Sequence, residues 1–283
     1  MKSRFQLVDE MHTKLKGYNM ERIMRGLQPI EELFNFQVKK GNEIGNDELG
    51  IAMIWERNTE LNETFIRIPD FVNYFFSRDD SNSGISVRAH ECNKKVEKIK
   101  FLGKTSVGNS ALNGFNNLRK IDFDNVDYLG EDALGNTAIE EIKTKAEYIG
   151  RGCFVNCTKL KNAEFNGEKV YMCHVSFLRC LTLETVKFNC REVITERYIA
   201  DKDKILFDLS GVTDLQCKGS LLDEAPYSLE VNDRATYYIK TSMENHTRLV
   251  NELREHANIC DISPRIDMGK NVYEVTQKYV GRV

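Results

Sequence analysis

The chain has 283 residues, 41% hydrophobic and 29% charged, which suits one large soluble domain or two modest ones. Its net charge is only −3, with Lys and Arg interleaved among Asp and Glu, so it lacks the basic excess through which nucleic-acid binders gain affinity from phosphates. No run approaches roughly 18 apolar residues, and Met1 to Glu10 has basic residues without an apolar signal core, so no membrane span is expected and the eight cysteines are expected as reduced thiols in a cytoplasmic protein.

Residues 1 to about 40 read as helical. Ile23, Leu27, Ile30, Leu33 and Phe34 recur at helical steps, Asn19 is placed to cap a helix, and Pro29 followed by Glu31 and Glu32 suits the first turn of a second one. Gly41 to Gly50 reads as a loop. Ile51 to Trp55 and Thr64 to Ile68 are β-branched and aromatic, as strands prefer, and Pro69 ends the second. Arg78 to Gly84 is a turn or loop. These elements make residues 1–84 a helical or mixed N-terminal cap or small domain.

From about Ile85 the sequence repeats. Val96-x-x-Ile99-x-Phe101, Leu118-x-x-Ile121-x-Phe123, Ile139-x-x-Ile142-x-Thr144, Leu160-x-x-Ala163-x-Phe165 and Leu183-x-x-Val186-x-Phe188 start 22, 21, 21 and 23 residues apart. A second landmark keeps the beat: Val107-Gly108, Leu129-Gly130 and Ile149-Gly150, then Leu112, Leu134, Phe154 and Phe177. A period of this size is the mark of a solenoid, in which each unit buries its apolar face on the next. Each unit is expected to hold one strand of a single sheet, a polar turn and a compact convex segment. Alternation puts Ile121 and Phe123 in the core and leaves Lys120, Asp122 and Asp124 on the open sheet face. The glycine after Leu129 or Ile149 serves a positive φ or a close backbone approach. Residues 190–210 read as an insertion, after which Val212-x-x-Leu215-x-Cys217 resumes the beat. Ala235 to Ile239 reads as a last strand and Met243 to Ala257 as a charged helix, so that 85–240 is the solenoid and 241–283 a helical cap and tail.

The unit Ile149-Gly-Arg-Gly-Cys153-Phe154-Val-Asn-Cys157-Thr-Lys-Leu160 closely resembles the BspA-like leucine-rich repeat, which runs roughly I-G-x-x-A-F-x-x-C-x-x-L. Leu129 to Ile139 and Phe177 to Phe188 follow the same pattern. The segment from Leu215 through Pro226 to Ile239 is similar to that family's terminal unit, and the resemblance covers about residues 85–257. It implies an α+β repeat protein, a right-handed leucine-rich-repeat solenoid with a parallel β-sheet and a C-terminal capping helix, and it implies protein binding.

No catalytic motif is present. The five histidines (His12, His90, His174, His246 and His256) fall in separate elements, and Cys153, Cys157, Cys173 and His174 lack the paired spacing that zinc sites use. Cys157 and Cys180 share one repeat position, where a small buried residue is wanted. No metal, cofactor or catalytic residue is therefore assigned. The informative polar feature is the row Lys100, Asp122, Lys143, Glu164 and Lys187, which alternates in sign from strand to strand. Opposite charges one strand apart contribute about 0.2–1 kcal/mol per pair. Flanking rows (Lys98, Lys120, Glu141, Asn162 and Thr185 on one side; Asp124, Asn166 and Asn189 on the other) show no such alternation and are expected to be freer for contacts. The expected function is a non-enzymatic protein-binding module, such as a regulator or inhibitor of a large partner; a virus-encoded protein acting on a host factor is one form of it. The competing expectation places an enzymatic or nucleic-acid-directed activity in residues 1–84, with the repeats as a positioning scaffold.

Overall fold

The structure is a computed structural model and describes residues 2–42, 46–56, 59–78, 93–196, 199–202, 204–217, 234–242, 246–256 and 259–278. It opens with helix α1 (Arg4–Met24), capped reciprocally by Ser3 and Gln6: the Ser3 hydroxyl accepts from the Gln6 N–H and the Gln6 side chain accepts from the Ser3 N–H. Leu7, Met11 and Leu15 form its buried side. Asn19 is not a helix cap. It lies inside α1, and its Oδ1 accepts from the Ile30 N–H at 2.8 Å, while the buried Arg22 guanidinium pairs with Glu63. The expected second helix is replaced by one 3₁₀ turn at Ile30–Glu32 and then strand β1 (Asn35–Gly41). Ile23, expected on the apolar stripe, is 57% exposed. The physical reason is a change of period: Phe36 and Val38 alternate with polar neighbours and pair across to β2 (Asn46–Glu56), with Phe36 opposite Met53 and Val38 opposite Ile51. The stretch read as a loop from Gly41 to Gly50 is thus mostly strand, apart from 43–45, which lie outside the described residues.

The repeat builds a β-solenoid of about seven turns. The expected strands form at β5 (Lys98–Phe101), β7 (Lys120–Asp122), β9 (Glu141–Thr144), β11 (Asn162–Phe165) and β13 (Thr185–Phe188). They run parallel with β3 (Phe65–Ile68) before them and β15 (Leu206–Asp208) and β17 (Arg234–Lys240) after them, making the face sheet. A second parallel sheet was not foreseen. It runs β2, β4 (Tyr74–Arg78), β6 (Thr105–Val107), β8 (Val126–Leu129), β10 (Tyr148–Ile149), β12 (Lys169–Met172), β14 (Glu192–Thr195) and β16 (Asp214–Cys217), with β1 antiparallel on its outer side. The apolar-Gly landmark therefore closes a strand. β14 and β15 both lie in what was read as an insertion, and β16 joins the second sheet rather than the first. Strands on either side of residues 79–92 pair directly, β3 with β5 and β4 with β6. Except for Arg78, the turn expected at 78–84 lies outside the described residues.

The third side of each turn is a compact loop bonded to the next: Leu112 N–H donates to Ala133 O, Leu134 to Cys153 O and Phe154 to Ser176 O, all at 2.8–2.9 Å. Ser110, Asp132, Gly152 and Val175 take a left-handed conformation at the same place in successive loops, with φ of 50°, 51°, 59° and 52°. The landmark glycines serve close approach. A Cβ on Gly150 would lie 2.4 Å from the Gly130 carbonyl carbon. Between the sheets, phenylalanines stack turn on turn, Phe154 on Phe177 at 5.2 Å and Phe165 on Phe188 at 5.4 Å. Helix α2 (His246–His256) matches the charged helix read near 243–257 and ties to β16 through Arg248 and Asp214 at 2.7 Å. The tail beyond it adds structure that was not read: β18 (Ile259–Pro264) and β19 (Val272–Lys278) extend the face sheet antiparallel from β17.

Candidate functional site

The face sheet shows its outward rows in the expected register. In the central row Lys100 pairs with Asp122 at 2.8 Å and Lys143 with Glu164 at 3.5 Å. The row continues to Asp208, which pairs with Lys240 at 3.0 Å. The alternation therefore resolves into separate pairs, and Lys187, between Glu164 and Asp208, makes no ion pair among the described residues. The Lys100 ammonium bonded to Asp122 holds that carboxyl below its ordinary range. Asp208 is also held low: burial pushes it up, but bonds from Ser210 and Lys240 outweigh that.

One flanking row is more self-satisfied than expected. The Asn189 amide donates to Asn166 Oδ1 at 2.8 Å and to Glu164 Oε1 at 2.7 Å. Asp124 is exposed, and its N–H bonds to the Asp122 carboxylate. The other flanking row stays open. Lys98 and Lys120 are register neighbours of like sign, followed by Glu141, Asn162 and Thr185 on the next strands. Lys98 also sits over the Phe65 ring at 4.9 Å.

Between β7 and β9 this face opens. The two strands share only the bridge from Phe123 to Thr144, and a groove of about 670 Å³ lies above it. It is lined by Lys98 of β5, by Arg119, Lys120, Ile121 and Asp122 on the β7 side, and by Glu140, Glu141 and Lys143 on the β9 side, with Ile121 the apolar residue between them. The cause is legible in the repeat. Leu112 to Leu118, Phe154 to Leu160 and Phe177 to Leu183 each advance six residues, but Leu134 to Ile139 advances five. In the six-residue turns the last residue donates back across the turn, Leu118 to Phe115 O, Leu160 to Cys157 O and Leu183 to Cys180 O, at 2.9–3.1 Å. The short turn has no such bond among the described residues. Where Arg119 N–H reaches Glu97 O, Lys161 reaches Glu140 O and Glu184 reaches Lys161 O, no N–H of the following strand reaches the Arg119 carbonyl. As a result Ile121 is half-buried, whereas its repeat equivalents Ile99, Ile142, Ala163 and Val186 are at most 2% exposed.

The second sheet presents a feature the sequence reading missed. Tyr128, Tyr148 and Tyr171 occupy one register position, with rings stacked in parallel at 4.7 and 5.6 Å. Their recurrence just before Leu129, Ile149 and Met172 was the available signal. Tyr171 donates to Glu196, which also accepts from the backbone N–H of His174 and lies 2.7 Å from its Nδ1. The stacking covers both faces of the central Tyr148 ring, and the Tyr148 and Tyr171 hydroxyls are engaged by Cys173 and Glu196.

The buried cysteines sit in repeat slots of the core. Cys157 and Cys180 occupy the same slot and donate to the carbonyls of Leu134 and Phe154 in the preceding turn, at 3.2 and 3.0 Å. Burial pushes the thiols of Cys153, Cys157, Cys173, Cys180 and Cys190 up, away from the reactive thiolate. Among the described residues no group of three His, Cys, Asp or Glu side chains is placed to hold a metal, and no helix is long and apolar enough to cross a membrane.

Residues 84–204 match the BspA type leucine rich repeat region in six copies. Among solved structures the chain is similar to a leucine-rich repeat protein from Bacteroides ovatus, at 15% identity and a TM-score of 0.35, over 68% of this chain. It spans 61% of that protein's length. No curated protein matches the chain.

Proposed function

We propose that the chain is a non-enzymatic interaction module that binds a protein partner through the open row and groove of its face sheet. Leucine-rich repeats generally serve as protein-interaction scaffolds, and a solenoid presents a long rigid surface with little ordering cost on binding. The observation that carries the reading is the row Lys98, Lys120 and Glu141, which make no ion pair among the described residues, beside a central row that is largely neutralised pair by pair. Charges already satisfied within the sheet gain little from a partner, whereas unpaired ones steer association. A regulator or inhibitor of another protein is the role such a surface suits, and free buried thiols suit a reducing cytoplasm.

The test is affinity capture of partners by the full chain, repeated with Lys98→Glu and Lys120→Glu together and with a control reversal at Lys169 on the second sheet. The face-sheet variant should associate more slowly and with an altered salt dependence, while the control should bind as wild type. Equal binding by all three would reject the face sheet as the docking surface.

A further inference from the structure

We propose that the groove between β7 and β9 receives an extended polypeptide segment with an apolar side chain seated on Ile121, an acidic side chain two positions to one side and a basic side chain two positions to the other. This deepens the reading of the face sheet as a protein-binding surface and rests on it.

The short turn before β9 has two effects at once. It leaves the inward-facing Ile121 half-buried, which gives the groove an apolar floor that no neighbouring repeat has. It also separates Lys120 from Glu141. In a continuous ladder these would be register neighbours about 4.8 Å apart and could neutralise each other. With the strands parted, Lys98, Arg119 and Lys120 stand on one wall and Glu140 and Glu141 on the other, none in an ion pair with a described residue. Asp122 and Lys143 also line the groove, but each is paired outside it, with Lys100 and Glu164. The remaining charges, cations on one side and acids on the other of an aliphatic floor, select an occupant of the complementary pattern. A free phosphate or a polyanion meets the acidic wall, and a sugar finds no exposed aromatic face to stack on.

An extended peptide fits the spacing. Side chains at i, i+2 and i+4 project from one side and span about 13 Å. Lys98 to Glu141 is two strand steps, about 10 Å before the parting is added. In a helix, by contrast, an acid and a base four residues apart neutralise each other rather than reach opposite walls. An apolar anchor in a small pocket with charges at its rim is also the usual division between affinity and selectivity.

The experiment displays a random heptapeptide library against the full chain and against a wall-exchanged variant, Lys98→Glu, Lys120→Glu, Glu140→Lys and Glu141→Lys, after thermal melts confirm that both fold. Wild type should enrich an apolar residue flanked at two positions by an acid and a base in one order, and the exchanged variant should enrich the opposite order. In fluorescence anisotropy each selected peptide should bind the other protein about tenfold more weakly. If the exchanged variant does not fold, Lys98→Glu with Lys120→Glu alone should lose the acidic preference. Enrichment without charge order, identical motifs on both proteins, or no enrichment at all would overturn the proposal. Peptides that ignore the groove but respond to Glu164→Lys or Lys187→Glu would overturn the groove while leaving the face sheet as a binding surface. Peptides indifferent to both sets would overturn both.

Discussion

Restoring the missing residue in the short turn should close the groove. The perturbation is one asparagine inserted between Thr137 and Ala138, which returns Leu134 to Ile139 to the six-residue advance of the other turns. Two backbone hydrogen bonds then become available, one across the turn from Ile139 and one from the following strand to the Arg119 carbonyl, each worth about 0.5–1.5 kcal/mol net. Ile121 also moves from half-buried toward the full burial of Ile99 and Ile142, at about 25 cal/mol per Å² of apolar surface covered. Lengthening a loop by one residue costs only a few tenths of a kcal/mol. The net is a gain of about 1–3 kcal/mol, read as a rise of several degrees in melting temperature. Hydrogen–deuterium exchange localises it: the amides of Lys120–Asp122 and Glu141–Lys143 should become more protected, and peptides selected by the groove should no longer bind. A folded insertion variant in which those amides exchange as fast as in wild type would refute the link between turn length and groove.

Three further outcomes follow from geometry already described. Gly150→Ala places a Cβ 2.4 Å from the Gly130 carbonyl carbon, and equilibrium denaturation should show a loss of about 2 kcal/mol or more from overpacking. At Val175, held at φ 52°, glycine should be more stable than alanine by about 0.5–1 kcal/mol, because the left-handed strain exceeds glycine's entropic cost, the reverse of the usual order; Ala above Gly in a melting series would show that the strain is absent. The folded pKa of Asp122 is depressed by Lys100, so its stabilisation is fully present above the unfolded value and is lost as pH falls through the folded one. The stability gap between wild type and Lys100→Met should thus be level above about pH 5 and shrink toward zero in acid.

The face sheet could be read from the sequence because its inward residues recur with their own period and must be apolar to stack. Ile99, Ile142 and Val186 announce both the strands and their direction. The second sheet was hidden because its strands are as short as Tyr148–Ile149, and a two-residue strand followed by glycine reads as a turn. The N-terminal error came from counting apolar residues across a boundary: Ile23 belongs to a helix, while Phe36 and Val38 belong to a strand with a different period. Asn19 reads as a cap in sequence because its partner, the Ile30 N–H, is eleven residues away and local spacing carries no trace of it. The charged rows were legible in register but not in pairing. Alternation of sign says which charges are neighbours, and only side-chain reach decides that Lys100 and Lys143 pair while Lys187 makes no ion pair among the described residues. The groove had a sequence signal in the five-residue advance from Leu134, but a single deletion becomes a site only when the parted strands are seen on either side of it.

Parting of β7 and β9 also has a consequence for how the chain comes apart. In a one-dimensional stack the total cohesion is a sum over nearest-neighbour contacts, so the least cohesive contact is where a boundary between ordered and disordered segments sits at lowest cost. Here one of the three ladders joining adjacent turns is reduced to a single bridge, while the second sheet and the loop column run on. That junction is the natural domain wall of the array. Under denaturant or load, the turns from β9 onward can hold together as one cooperative block after those before β7 have loosened.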